Sequence, residues 1–255
     1  MPMKTRVVIL AAGRGRRMAS DTPKTLLSLG GRPLLLRLLS SIAEAGIDAE
    51  PTIVVGENGP LIERAVRDYG ARARYAVQDA PLGTGHAVRA AQASCANAER
   101  IVVLYGDHPF VSAATIRALR DIHAAGTGPL ALATATVPDF LGVHAPLADF
   151  GRIIRDDAGH IMRIIEKKDA GPRELAVREV NPAYFCFSAA WLWEKLAMLT
   201  NENAQKEYYL TDTVQMAMRE GHAIASVAIG PYEAFGVNTP EHLMAAESLL
   251  GPGRP

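Results

Sequence analysis

The sequence predicts an α/β fold in which helices cover both faces of a mostly parallel sheet. The continuous apolar runs RVVILAA and IVVLY have the pattern of strands that are buried on both faces. Helix-like segments alternate with such runs through the first half of the chain, and this alternation is typical of parallel sheets. A chain of 255 residues is long enough for one domain with an appended subregion.

The first half alternates strand and helix without interruption. Proline favours the first helical position and glycine the position just past the last, so Pro33 and Gly46 bound one helix. Its leucines recur every three to four residues, as on one apolar face. The predicted elements are, in order, strand RVVILAA, the helix between Pro33 and Gly46, strand TIVV, an amphipathic helix around residues 61–66, strand RYAVQ, a helix over residues 85–95, strand IVVLY, a helix over residues 115–123 and strand PLALATATV.

The second half has antiparallel signals. RIIRDDAGHIMRIIE predicts a hairpin that turns at residues 156–159, and NPAYFCFS alternates like one strand. Helices follow over residues 191–199 and 210–219, then strand IASVAI and a closing helix over residues 239–250 with a Thr-Pro start. We expect one domain over residues 1–251, with halves at about 1–137 and 138–251 on the same sheet, and a disordered tail at 252–255.

Charge and cysteine content exclude several classes of protein. The chain has 27 Lys and Arg against 27 Asp and Glu, so net charge does not indicate a nucleic-acid or membrane partner. Its two cysteines, Cys95 and Cys186, form neither a disulfide framework nor a metal-binding spacing, and we expect them to be buried in a reducing compartment. The apolar run at residues 7–12 is too short for a signal peptide or a membrane span. We therefore expect a cytoplasmic protein.

Ligands of open α/β sheets bind beyond the carboxyl ends of the strands, so the residues after each strand are the candidate site. After the first strand, Gly13 and Gly15 allow backbone N–H groups to surround an anion. Arg17 can bind a phosphate through two hydrogen bonds, and the other nearby cations are Arg14, Arg16 and Lys24. This loop suits a triphosphate, although a basic surface turn is the alternative. A dinucleotide-binding loop is disfavoured because Met18 replaces the third glycine, and no P-loop Gly-Lys-Ser/Thr follows.

Gln78 ends the strand RYAVQ, and LGTGHA follows it closely. A side-chain amide carries a donor and an acceptor, so it can pair with uracil or thymine in one orientation and with cytosine in the other. A solvated strand-end glutamine is the alternative. The two glycines around Thr84 predict a backbone that packs against a flat base, and the second glycine opens a helix.

Asp107 follows the strand IVVLY at the same edge of the sheet. One carboxylate at such a strand end suits magnesium, because this ion keeps waters and takes few protein oxygens. Asn238 in FGVN is a candidate second ligand, whereas an ordinary turn aspartate is the alternative. The chain contains neither His-Glu-x-x-His nor Gly-x-Ser-x-Gly, so zinc hydrolysis and acyl transfer are not indicated.

Eight segments together resemble the GlmU-type N-acetylglucosamine-1-phosphate uridylyltransferase domain of the sugar nucleotidyltransferases. They are LAAGRGRRM…PKTL, QDAPLGTGHA, LYGDHP, FGRI, IIEKKDA, EVN, NAQKEYYLTD and FGVN, in this order over nearly the whole chain. The resemblance implies a Rossmann-like three-layer sheet with nucleotide-binding and sugar-binding halves. It implies Mg²⁺-dependent transfer of a uridylyl group from UTP to a sugar 1-phosphate, best matched by N-acetylglucosamine 1-phosphate.

The resemblance also implies roles for individual residues. Arg17, Lys24 and Asp107 would be catalytic, and Asp107 and Asn238 would hold magnesium. The nucleotide would contact Leu10, Ala11, Ala12, Gly13, Gly15, Gln78, Gly83 and Thr84. The sugar would contact Tyr105, Gly106, Gly151, Glu166, Asn181 and Thr211.

The sequence departs from this family at four points. Arg16 replaces the usual Thr, Pro182–Ala183 replaces Thr-Gly, and the connection PDFLGVHAPLADFGR is longer than usual. No six-residue repeat is present, so we expect neither acetyltransferase activity nor a hexapeptide-repeat trimer. The alternatives are a nucleotidyltransferase that uses another NTP and acceptor, such as CTP with an alcohol phosphate, and a non-catalytic nucleotide-sugar sensor.

Overall fold

Ten strands of the described residues form one large sheet, and two others form a small second sheet. The structure, a computed structural model, describes residues 4–13 and 22–250. Its strands are β1 (Thr5–Leu10), β2 (Ser28–Leu29), β3 (Arg32–Pro33), β4 (Thr52–Val55), β5 (Arg74–Val77), β6 (Arg100–Tyr105), β7 (Leu130–Thr136), β8 (Gly151–Arg155), β9 (Ile161–Ile165), β10 (Glu179–Asn181), β11 (Phe185–Ser188) and β12 (Ala225–Ile229).

The described residues contain the predicted α-helices, with differences in their bounds, and one short helix, α5, that was not predicted. The helices are α1 (Leu34–Ala45), α2 (Gly59–Asp68), α3 (Thr84–Ala90), α4 (Ala113–Ala125), α5 (Pro172–Leu175), α6 (Ala189–Met198), α7 (Asp212–Arg219) and α8 (Pro240–Leu250). Gly46 ends α1 with a φ of 68°, as the C-terminal glycine signal predicts. The helix expected over residues 85–95 is instead α3 followed by a separate 3₁₀ turn, Ala93–Cys95.

The large sheet has ten strands in the order β5-β4-β1-β6-β11-β7-β10-β8-β9, and β12 pairs with β7. The strands β5, β4, β1 and β6 are parallel to their neighbours in this group. The antiparallel strand β11 lies between β6 and β7, so a strand of the second half completes the sheet of the first half. The prediction of an α/β fold with a mainly parallel core is confirmed, and the antiparallel strands lie where the hairpin signals indicated.

Helices cover both faces of this sheet, which makes three layers. Val8 and Val103 point to the face that α3, α6 and α7 cover. Their chain neighbours Val7 and Val102 point to the opposite face, which α1, α2 and α4 cover. Alternate residues of β1 and β6 thus enter different cores, and this explains why these strands are apolar throughout.

The segment NPAYFCFS forms no single strand, contrary to the sequence prediction. It is broken into β10 and β11 by residues 182–184. Ala183 has a φ of 63°, in the left-handed region that residues with a side chain rarely adopt. The Asn181 Oδ1 accepts a hydrogen bond from the Ala183 N–H at 2.9 Å and so holds the break. Alternation alone could not reveal this break, because apolar residues continue on both sides of it.

The long connection before Gly151 forms a 3₁₀ segment, Gly142–Asp149, where no strand or helix was predicted. The buried Arg152 holds its end, donating to the Ala148 carbonyl at 3.1 Å and to the Phe150 carbonyl. The Arg152 guanidinium also lies 4.5 Å from the centre of the Phe140 ring. This connection is therefore packed onto β8 and not merely looped out.

None of the helices in the described residues is long and apolar enough to span a bilayer. Both cysteines are free and buried, with Cys95 1% and Cys186 0% exposed. Burial raises the pKa of the Cys95 thiol and raises that of Cys186 to about 12. The prediction that they act as small apolar side chains is confirmed.

We expect neither cysteine to react with Ellman's reagent in the folded protein at mildly alkaline pH. Both thiols are buried and protonated there, and the thiolate is the reactive form. Both should react after guanidinium denaturation, which serves as the control. Rapid modification of either thiol in the folded protein would contradict the packing of β11 or of the Cys95 turn.

Ala183→Gly should raise the free energy of unfolding by about 0.5–1 kcal/mol, because the left-handed conformation costs an L-residue more than glycine's extra chain entropy. Urea denaturation monitored by circular dichroism measures the difference. The matched control is Ala65→Gly in the interior of α2, which should lower stability by about 1 kcal/mol. An equal loss in both variants would show that position 183 carries no backbone strain.

Candidate functional site

A cavity of about 400 Å³ opens at the carboxyl ends of β1, β5 and β6. Most of the residues singled out in the sequence line it together, although they come from distant parts of the chain. They are Leu10, Ala11, Ala12, Gly13, Lys24, Gln78, Gly83, Thr84, Tyr105, Asp107, Gly151, Glu166, Asn181, Thr211 and Asn238. The strand-end rule and the family resemblance therefore indicated residues that line one cavity.

The remaining predicted site residues are not in this lining. Gly15 and Arg17 lie outside the described residues, as do Arg14, Arg16 and the tail at 252–255. Gly106 is described but is not among the lining residues, and a Cβ atom there would be 3.0 Å from the Thr25 Cγ2. Gly106 therefore lets the end of β6 pack closely against Thr25, and its contact with a sugar stays a prediction.

Lys24 lies at the centre of the site, between Asp107 and Asn238. Its Nζ donates to the Asn238 Oδ1 at 2.8 Å and forms an ion pair with the Asp107 carboxylate. Asp107 is 7% exposed. Burial alone would raise the pKa of Asp107, but the Lys24 ammonium outweighs this effect and holds that pKa below its ordinary value. The Asp107 carboxylate is therefore ionised near neutral pH.

The oxygens of Asp107 and Asn238 also suit a hard cation. Both accept hydrogen bonds from the same ammonium, so they already converge on one positively charged atom. Among residues 4–13 and 22–250, no group of three His, Cys, Asp or Glu side chains is arranged to hold a metal ion. One carboxylate and one amide oxygen match the few protein ligands that Mg²⁺ takes beside substrate phosphates.

Gln78 and the LGTGHA loop form one part of the cavity wall. Gly83 has a φ of 110°, and a Cβ atom there would be 2.7 Å from the Tyr208 backbone. The Gly85 N–H donates to the Tyr208 carbonyl at 2.8 Å, and the Thr84 Oγ1 accepts from the Leu210 N–H at 3.0 Å. These glycines thus permit a close approach to the EYYL segment, and the packing of the loop against a base stays a prediction.

Glu166 is a half-buried carboxylate in the cavity lining. The Thr211 hydroxyl donates to the Glu166 Oε1 at 2.9 Å. Burial raises the pKa of Glu166, and the Thr211 hydrogen bond opposes this rise. Gly151 lies beside it, since a Cβ atom there would be 3.5 Å from the Glu166 Oε2. Hydroxyl groups of a ligand would find acceptors here.

The sequence reasoning missed several residues that complete the walls. Gln205, Glu207 and Tyr209 belong to the quoted motif NAQKEYYLTD, and Asp149, Phe150, Pro182 and Ala183 belong to the quoted departures. The motifs contained these residues, but no rule of spacing separates those that line a cavity from their neighbours.

His108 is the most informative of the missed residues. Burial lowers its pKa to about 4, so the ring is neutral near neutral pH. The Tyr184 hydroxyl donates to the Glu233 carbonyl at 2.7 Å and accepts from the His108 Nδ1 at 2.8 Å. The ring also stacks on Phe150, with 5.7 Å between centroids. His108 therefore joins the loop that bears Asp107 to the strand break and to the long connection.

Relatives of the chain share its sequence over nearly its full length. The Heliobacterium modesticaldum protein named Bifunctional protein GlmU is 37% identical over 249 residues, which are 97% of this chain and 52% of that relative. The Cupriavidus necator protein of the same name is 40% identical over 244 residues, 95% of this chain and 51% of that relative. The chain thus spans about half the length of these curated relatives.

Solved structures share the fold at low sequence identity. A UDP-glucose pyrophosphorylase complexed with UDP-glucose has a TM-score of 0.75 at 18% identity, over 97% of this chain and 98% of that chain. A CMP:2-keto-3-deoxy-manno-octonic acid synthetase complexed with CTP has a TM-score of 0.70 at 17% identity, with coverage of 97% and 98%. The model of the MobA-like NTP transferase domain matches residues 7–213, and the protein therefore belongs to this family of nucleotidyltransferases.

Proposed function

We propose that the protein transfers a uridylyl group from UTP to a sugar 1-phosphate, with N-acetylglucosamine 1-phosphate as the first candidate. The observation that carries this proposal is that three kinds of group line one cavity. They are the Gln78 amide, the Lys24–Asp107 pair and the Glu166–Thr211 pair. A base, a chain of phosphates and a sugar have the matching chemistry. The GlmU relatives support the same substrates.

The reaction requires alignment and charge neutralisation more than proton transfer. An oxygen of the sugar phosphate forms a bond to the α-phosphorus of UTP, and the bond from that phosphorus to the pyrophosphate oxygen breaks. A phosphomonoester is already ionised near neutral pH, so no general base is needed to activate it. Lys24 would stabilise the charge on the phosphates, and Glu166 would accept hydrogen bonds from the sugar.

We further propose that Asp107 and Asn238 hold Mg²⁺ when the nucleotide is bound. The ion would supply positive charge at the phosphates. Lys24 would then contact the phosphates in place of these two oxygens. The convergence of both oxygens on one ammonium is the support for this assignment.

The test of the function is pyrophosphate release with Mg²⁺, each of the four common NTPs and a panel of sugar 1-phosphates. The panel includes the 1-phosphates of N-acetylglucosamine and glucose. We expect turnover to be fastest with UTP and N-acetylglucosamine 1-phosphate. Turnover with a different pair would reassign the substrates, and bound UTP without any pyrophosphate release would favour a sensor.

Lys24→Ala should lower kcat by about 100-fold or more, because the ammonium acts mainly on charge that develops in the transition state. UTP affinity, measured by calorimetry, should fall far less than kcat. The matched control is Lys4→Ala, which removes an exposed lysine from the start of β1, at the opposite end of that strand. Equal losses in kcat and affinity would mean that Lys24 contributes only uniform binding.

Gln78→Ala should reduce discrimination among nucleotides more than it slows the best substrate. The amide would recognise the base edge. The partners of its nitrogen are Gly83 and His86, which are not part of the contact of Lys24 with Asp107 and Asn238, so its loss should leave the phosphate contacts intact. The measurement is kcat/KM for UTP and CTP with one acceptor. An unchanged ratio of the two values would remove Gln78 from the base site.

A further inference from the structure

The side-chain amide of Gln78 is held in one orientation by its neighbours. Its Nε2 lies 3.2 Å from the carbonyl oxygen of Gly83. A backbone carbonyl can only accept a hydrogen bond, so the amide atom facing it must be the nitrogen. The reversed amide would place two acceptor oxygens against each other. The Gly83 carbonyl thus favours one of the two amide orientations.

His86 adds a second acceptor at the same amide nitrogen. Its Nδ1 lies 3.2 Å from the Gln78 Nε2. Since this nitrogen donates, the His86 Nδ1 carries no proton, and the ring proton of the neutral imidazole lies on Nε2. The His86 Nε2 faces the Asp79 carboxylate at 3.7 Å, on the side where a proton is favoured. Gly83 and His86 together take both hydrogens of the Gln78 amide.

This arrangement decides what Gln78 offers to a ligand. With both amide hydrogens used inside the protein, the carbonyl oxygen Oε1 remains, and it can only accept a hydrogen bond. Uracil presents a donor at N3, whereas cytosine presents a lone pair at the same position. A cytosine placed in the same pose therefore sets an acceptor against an acceptor, which leaves both groups unpaired in a partly buried site. The sequence alone allowed either base, because it allowed either amide orientation.

We infer that His86 is a positioning residue for base selection: it holds Gln78 as an acceptor, so that the site prefers uracil over cytosine nucleotides. The inference rests on the proposed function, in that it takes Gln78 to face the base. His86 itself is not among the residues that line the cavity, so it acts through Gln78. It is also partly exposed, with 22% of its side-chain surface accessible, so substitution there leaves the core intact.

The test compares two variants of equal shape, His86→Asn and His86→Leu. Asparagine places an acceptor oxygen near the position of the histidine Nδ1, whereas leucine fills the same space without one. Calorimetry gives the Kd of UTP and of CTP for each protein. We expect the CTP-to-UTP ratio of Kd values to fall about fivefold in His86→Leu, the factor of one neutral hydrogen bond, and to stay within about twofold in His86→Asn.

Arg89→Ala is the control, because Arg89 is exposed on the same helix and its loss should change neither Kd ratio. Melting temperatures establish that each variant is folded, and His86→Ala replaces His86→Leu if leucine impairs folding. Equal ratios in wild type and His86→Leu would overturn the inference, as would equal falls in the Leu and Asn variants or a wild type that prefers CTP. Because the readout is binding, a wild type that binds UTP without releasing pyrophosphate refutes only the proposed transfer.

Discussion

The contact of Lys24 with Asp107 and Asn238 is the interaction on which the site depends. Asp107 is 83 residues and Asn238 is 214 residues from Lys24 along the chain, so three distant segments meet at one ammonium. A buried ion pair that loses one partner costs about 3–5 kcal/mol, because the remaining charge stays out of water. This contact therefore holds three segments together: the turn at Lys24, the residues after β6 and the loop before α8. This contact also brings the oxygens of Asp107 and Asn238 together.

The walls of the cavity come from two irregularities in an otherwise regular sheet. The break at residues 182–184 separates β10 from β11, and the residues of the break line the cavity. The second irregularity is the ladder between the LGTGHA loop and the EYYL segment, where Gly83 and Gly85 allow main-chain contact with Tyr208. Ala183 adopts a left-handed conformation that favours glycine, and a Cβ atom at Gly83 would clash with the Tyr208 backbone. Hydrogen bonds hold the local conformation in each irregularity. The cavity is thus built into the fold before any ligand binds.

The sequence predicted much of the site because parallel strands place their carboxyl ends at one edge. Gln78 and Asp107 were identified by this rule, and both line the cavity. Glu166 and Thr211 came from the family resemblance, since neither follows a strand in a way that marks it as part of a site. Gly106 also came from the resemblance, but it packs against Thr25 and is not among the lining residues, so its role stays a prediction. Residues of one motif can face a cavity or lie beneath it, and only the packing around them distinguishes the two.

The sequence by itself determined the local elements: which runs are strands, where α1 ends, where the hairpin turns, and which polar residues follow the strands. These features depend on residues close together in the chain, so residue propensity and hydrophobic periodicity predict them. Only the tertiary structure decided that β11 lies between β6 and β7, that Lys24 contacts Asp107 and Asn238, and that the Gln78 amide presents its oxygen. The physical reason is that strand order and hydrogen-bond direction depend on partners from distant segments or across a loop, and no local pattern specifies those partners.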